Sequence, residues 1–210
     1  MDDYPTSKLA LDKSVTLVLL VLFSPVFAFV AAAMGADMVL RRRDRGPWLY
    51  REPRISRGRQ FDLLKFRTLR RDVIERSAGA EAHARLHEAE PGNLTWAGRR
   101  VLKPWYLDEL PQLWNVLRGD ISLVGPRPWP PSMVQSQVEK GFTYRNEFVA
   151  GWTGPAQVQK GVTESAGYTE LDIDYVSRCR RSSAAGIVRM DLGILWRTVR
   201  VLARGEGLEY

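Results

Sequence analysis

The sequence predicts an α+β fold, mostly helical with a little β-structure, behind an N-terminal membrane segment. Three observations carry this. Ser14 to Ala36 runs about 23 residues without a charge, long enough to cross a bilayer as a helix. Later stretches repeat apolar residues at spacings of three and four, as in Leu110, Leu113, Trp114 and Leu117. Only short stretches, such as "FDLLKFRTLRRD" and "GWTGPAQVQKG", read as strand.

Taken in order, residues 1–13 read as a short amphipathic lead-in and 14–38 as the membrane segment. The apolar run is too long for a signal-peptide core, and "RRRDR" follows where a cleavage site should sit. Arg41, Arg42, Arg43 and Arg45 mark their end as cytoplasmic. Ser24-Pro25 interrupts the run. Proline removes a helical hydrogen bond, and a Ser hydroxyl or a bend can satisfy the freed carbonyl. Two geometries stay open, a kinked spanning helix and a helix that breaks and returns to the face it entered. Lys8 and Lys13 before the run, with the arginines after it, suit the second.

Residues 39–60 are basic, with turn signals at Gly46-Pro47, Pro53 and Gly58. Residues 61–72 read as a short strand or an extended lead into a helix, and 73–92 as an Ala/Glu-rich helix ending at Pro91-Gly92. A helix is expected over 108–118. "GPRPWPP", 125–131, cannot be regular structure. Residues 132–148 read as helical, 151–161 as loop and strand, and 168–182 and 187–204 as helices. The last places Leu192, Leu195, Trp196, Val199 and Leu202 on one face and Arg197, Arg200 and Arg204 on another. That pattern suits an anionic membrane interface or a core-packed helix with a solvated basic face. The division expected is residues 1–40 for the lead-in and membrane segment and 41–210 for a cytoplasmic domain.

The chain has 210 residues, 45% hydrophobic and 26% charged, with net charge +7. This affords a core and favours anionic partners. One cysteine, Cys179, excludes an internal disulfide and a thiolate zinc site.

Asp108 and Glu109 are the leading candidates for chemistry. Pro111 belongs in a helix's first turn, so Asp108 is expected at the helix start, where it can cap and stay anionic. Capping explains one acid well and the second weakly. Arg127, between two prolines after Gly125, presents a guanidinium on a stiff turn, either to a phosphate or to solvent. Lys65 and Arg67 share a face of an extended segment and could hold phosphates or blunt a strand edge. His83 and His87 have metal-pair spacing but sit in a polar helix without a supporting acid, which favours a solvated helix.

"KFRTLRRD", "LDELPQLWNVLRGDISLVGPRP", "GWTGPAQV" and "DIDYV", in that order after a Ser-Pro-interrupted apolar segment, resemble the bacterial sugar transferases. These are small monotopic phosphoglycosyl transferases of bacterial glycan assembly, and the match, in the minimal catalytic form, covers essentially the whole chain. The resemblance implies transfer of a sugar 1-phosphate from a UDP-sugar to polyprenol (undecaprenyl) phosphate at the cytoplasmic face of the inner membrane. It implies Mg²⁺ as cofactor and a re-entrant helix broken at Ser24 and Pro25. By motif position, Asp108 is the nucleophile that forms a phosphoryl-aspartate, in a ping-pong scheme, and Glu109 holds the metal. Lys65, Arg67, Arg127 and Arg145 contact phosphates. The implied partners are the donor, the lipid phosphate and anionic lipid headgroups, with a homodimer and downstream glycosyltransferases compatible and no nucleic acid.

The chain departs from the family pattern at three places. Lys103 stands where an arginine is usual, Tyr106 where a small Ser or Thr is usual, and Ala150-Gly151 where Pro-Gly is usual. Lys103 is still expected at the donor. A basic membrane-anchored adaptor without turnover is the competing reading, and loss of UMP release on Asp108→Asn separates the two.

Overall fold

A computed structural model describes residues 4–77, 87–159 and 165–204. Helices α1 (Thr6–Leu22) and α2 (Ser24–Leu40) come first and meet at a bend of 56°. Pro25 lies in the first turn of α2, where its missing N–H costs nothing. The Ser24 hydroxyl donates to the Val21 carbonyl at 2.8 Å, so serine satisfies a carbonyl at the break. The lead-in is not separate, since α1 runs unbroken from Thr6 into the apolar run. No single helix among the described residues is long and apolar enough to cross a bilayer. The bent pair together meets that test by length and composition.

Strands β1 (Leu49–Ser56) and β2 (Arg59–Phe66) form a hairpin closed by Arg57 and Gly58, at φ 50° and 70°. Two positive φ values give the turn twist that matches paired strands. β1 revises the expectation for 39–60, because Pro53 lies inside a strand. It is tolerated at the edge of a two-stranded sheet. Next come α3 (Arg71–Ser77), a 3₁₀ turn Pro91–Asn93, a π-helical turn Gly98–Leu102 and a 3₁₀ turn Leu107–Glu109. Residues 78–86 of the helix expected over 73–92, His83 among them, lie outside the described residues.

After these come α4 (Gln112–Arg118), β3 (Ser122–Val124), α5 (Pro131–Glu139), α6 (Tyr144–Glu147) and β4 (Gly151–Thr153). Then follow α7 (Pro155–Val158), α8 (Ser165–Arg181) and α9 (Ala184–Ala203). Gly141, at φ 87°, separates α5 from α6 and splits the helix expected over 132–148.

The chain divides into two compact units. The first comprises Met1–Leu19, Glu52–Leu63 and Leu113–Tyr210. Its β3 and β4 run parallel, Ser122 opposite Gly151 and Val124 opposite Thr153. The Gly125 N–H donates to Thr153 O (3.0 Å) and the Gly151 N–H to Pro126 O (2.8 Å). A Cβ on Gly151 would lie 2.1 Å from Gly125 N, and one on Gly154 would lie 2.2 Å from Gly125 O. Only glycine allows this approach, and it fixes the shape of the Gly-Pro-Arg-Pro turn.

Two helices of this unit bury polar groups and leave apolar side chains exposed. On α1, Lys8, Asp12 and Thr16 are buried while Leu9, Leu17 and Val18 are exposed. The Lys8 ammonium pairs with Asp191 and donates to Val124 O at 3.0 Å. Asp12 accepts from the Ser122 hydroxyl (2.8 Å) and the Leu123 N–H (3.2 Å). On α9, capped by the Ser183 hydroxyl, Ile187, Asp191, Ile194, Thr198 and Val201 face inward. Leu192, Trp196, Val199 and Leu202 are exposed, so the apolar face read from sequence is not the one that packs on the core.

The second unit comprises Leu20–Arg51 and Leu64–Gln112. Its core joins Val30 and Met34 of α2 to Ala97 and Leu102, with Phe66 and Leu107 packed against them. Asp37 accepts from the Ala97 N–H at 2.9 Å and from Arg41 at 3.1 Å. Asp44 accepts from the Trp96 N–H at 3.1 Å.

Candidate active site

Asp108 and Glu109 lie in the 3₁₀ turn of the second unit. The chain reaches it through the π-turn, where the Lys103 N–H donates to Gly98 O, five residues back. Tyr106 then adopts left-handed angles (φ 55°, ψ 25°), which strains a residue with a Cβ. That reversal turns Leu107 onto the core and Asp108 inward. The regular helix starts at Gln112, not Asp108. The expected capping of a helix by Asp108 is therefore absent, and a seven-residue helix four positions on cannot keep it anionic.

Lys103 supplies the opposing charge instead. The Asp108 side chain is 4% exposed, and Lys103 Nζ lies 3.0 Å from its Oδ2. Burial pushes the Asp108 carboxyl above its ordinary range. The Lys103 charge opposes this, the Glu109 charge adds to it, and Lys65 also opposes it. Burial pulls the Lys103 ammonium down, but Asp108 and Glu88 outweigh it and leave its pKa above the ordinary value. Glu88 Oε2 is 2.6 Å from the same Nζ, and its Oε1 accepts from the Thr68 hydroxyl at 2.7 Å. Lys65 Nζ lies 4.0 Å from Glu109 Oε1. The structure thus gathers Lys65, Lys103, Asp108 and Glu109 and adds Glu88, which sequence reasoning missed.

Arg67 belongs to the same unit but is 1% exposed. Its guanidinium donates to the carbonyls of Pro47 (2.7 Å), Leu69 (2.7 Å) and Asp44 (2.5 Å). These contacts engage all three of its nitrogens, so it braces the chain rather than offering itself to a phosphate.

Arg127 and Arg145 lie in the first unit. Arg127, half-buried, sits on the Gly-Pro-Arg-Pro turn. Arg145 is 4% exposed, contrary to the expectation of a phosphate contact. It donates to Gln137 Oε1 (3.0 Å), to Asp172 Oδ2 (2.8 Å) and to the Arg127 carbonyl, and its guanidinium lies 4.0 Å over the Trp129 ring. Arg145 therefore holds the turn that carries Arg127. Burial pushes the Asp172 carboxyl up to about 6 even with Arg145 beside it.

Among the described residues no three His, Cys, Asp or Glu side chains gather to hold a metal by themselves. An ion that keeps its waters and takes phosphate oxygens needs only one or two carboxylates. Asp108 and Glu109 supply hard oxygens of that kind, so the residues present fit Mg²⁺.

The family model described as bacterial sugar transferase matches residues 4–205. The chain belongs to the bacterial sugar transferase family. Among its relatives, an undecaprenyl-phosphate glucose phosphotransferase of Komagataeibacter xylinus is 32% identical over 92% of this chain and 35% of its own length. A UDP-glucose:undecaprenyl-phosphate glucose-1-phosphate transferase of Caulobacter vibrioides is 31% identical over 94% of this chain and 67% of its own. An Aeromonas hydrophila enzyme named for UDP-N-acetylgalactosamine and undecaprenyl phosphate is 26% identical over 97% and 45%. This chain thus spans from about a third to two thirds of the length of these curated relatives.

Proposed function

We propose that the protein transfers a sugar 1-phosphate from a UDP-sugar to polyprenol phosphate, releasing UMP and forming a polyprenyl-diphosphate sugar. The observation that carries the reading is a buried Asp108 carboxyl 3.0 Å from the Lys103 ammonium within the "LDELPQ" block, in a chain of this family. The family relatives' names support undecaprenyl phosphate as acceptor, and they differ in the sugar.

Asp108 attacks the phosphorus that bears the sugar. A bond forms from its carboxylate oxygen to that phosphorus, the phosphoanhydride bond breaks, and UMP leaves with the bridging oxygen. A phosphate oxygen of the polyprenol phosphate then attacks the same phosphorus and restores the carboxylate. Desolvation makes Asp108 a stronger nucleophile once Lys103 keeps it ionised, and Lys103 and Lys65 offset the donor's negative charge. Glu109 would hold Mg²⁺, which when bound neutralises diphosphate charge. Arg127 is the remaining phosphate contact, on a turn held by Arg145.

Re-entry at the cytoplasmic face has support of its own. The 56° bend at Ser24-Pro25, with Lys13 before the apolar run and Arg41, Arg42, Arg43 and Arg45 after it, suits a helix pair that returns to the face it entered. The outward apolar side chains of α1 and α9 suit hydrocarbon and the interface.

UMP release from a panel of UDP-sugars, with Mg²⁺ and polyprenol phosphate, tests the activity. The wild type should release UMP and lose it on chelation, while Asp108→Asn and Glu109→Gln should not. A wild type silent across the panel contradicts the reading. Tags at both termini should be reached from the cytoplasm, and an N-terminal tag reached only from outside contradicts re-entry.

A further inference from the structure

Lys103 faces two acids. Its ammonium is nearer to Glu88 (2.6 Å) than to Asp108 (3.0 Å), and the Thr68 hydroxyl binds the other Glu88 oxygen at 2.7 Å. Glu88 and Asp108 are 17% and 4% exposed, whereas Lys103 is 32% exposed. A lysine side chain has a long, freely rotating stem, so one contact to Asp108 would fix it poorly. A second carboxylate on its far side, itself fixed by a hydroxyl, removes that freedom. Gly98 makes room for the brace, since a Cβ there would lie 2.5 Å from the Thr68 carbonyl.

We propose that Glu88, braced by Thr68, is a positioning residue that fixes the Lys103 ammonium against the Asp108 carboxylate. The assignment rests on the reading of Asp108 as the nucleophile. It gives an acid in a polar, Ala/Glu-rich stretch a role in the reaction without contact to substrate. The charged groups facing Asp108 are Lys103, Glu109 and Lys65, and those facing Lys103 are Asp108 and Glu88. With Glu88 neutral, nothing on its far side holds the ammonium, it spends less time against Asp108, and the charge it sets there is misplaced for the reaction.

The test compares the full-length wild type, Glu88→Gln, Glu88→Asp, Lys103→Met and the Glu88→Gln/Lys103→Met double variant, by kcat and donor KM for UMP release. Glu88→Gln should lower kcat roughly tenfold and leave the donor KM within about twofold. Glu88→Asp should recover part of this. In the Lys103→Met background the same change should cost less than about twofold, because the residue it acts through is gone. Effects that multiply, or a loss carried by KM with kcat unchanged, would each overturn the assignment while leaving the transferase reading intact. A wild type that releases no UMP removes both.

Discussion

Replacing Arg145 by methionine keeps most of the side-chain volume and removes the charge that faces Asp172. The two side chains are 3% and 1% exposed and meet at 2.8 Å. Taking one partner from such a buried pair costs about 3–5 kcal/mol, because the other charge stays buried without compensation. For a chain of this size each kcal/mol lowers Tm by about 2–4 °C, so a loss of roughly 10 °C is expected near neutral pH. The pH dependence is the sharper part. The Asp172 carboxyl titrates near 6 in the fold, above its ordinary 3.8. The folded state therefore binds more protons between those values, and stability falls as pH rises from 3.8 through 6. Arg145→Met raises the folded value further and deepens that fall. Below pH 3.8 the acid is neutral in both states, and only the lost hydrogen bonds and the stacking on Trp129 remain. Thermal unfolding of both proteins in detergent, at acid and neutral pH, measures the difference. An equal Tm loss at the two pH values would refute the argument that the guanidinium compensates a buried carboxylate.

Three further outcomes follow from the geometry. Lys103→Met should raise the acid limb of kcat/KM by roughly one to two pH units, as loss of a neighbouring opposite charge does, with Lys103→Arg restoring much of it. Asp108→Asn should abolish UMP release yet raise Tm at neutral pH. The folded pKa of Asp108 lies above its ordinary value, so its charge costs stability once the pH passes through that folded value. Lys8→Met should cost about 3–5 kcal/mol by stranding Asp191, whereas Lys8→Met with Asp191→Asn should cost clearly less, read by chemical denaturation in detergent.

The sequence carried the parts governed by local chemistry. The Ser-Pro break was legible because proline's missing donor and serine's hydroxyl act within one turn. The Gly-Pro-Arg-Pro turn was legible because three of its four residues restrict or free the backbone. The helix start at Asp108 was misread because Tyr106 takes a left-handed conformation that no pattern of residue types signals, and the acids fall into a 3₁₀ turn before the helix. Arg67 and Arg145 were expected at phosphates. Their burial depends on carbonyls of Asp44 and Arg127, 23 and 18 residues away, which periodicity cannot reach. Glu88 was illegible for the same reason, since its partners Thr68 and Lys103 are 20 and 15 residues distant. On α1, the buried Lys8, Asp12 and Thr16 recur every four residues. That spacing already marked one polar helix face, but only the fold says that it points inward.

The most direct test of the central claim is the intact mass of the protein after incubation with a UDP-sugar and Mg²⁺ in the absence of lipid acceptor. Wild-type protein should gain the mass of a sugar phosphate while UMP appears in solution, the adduct should be lost when polyprenol phosphate is added, and Asp108→Asn should gain nothing. An active wild type that gains no mass, and releases UMP only when polyprenol phosphate is present, would contradict a covalent step at Asp108.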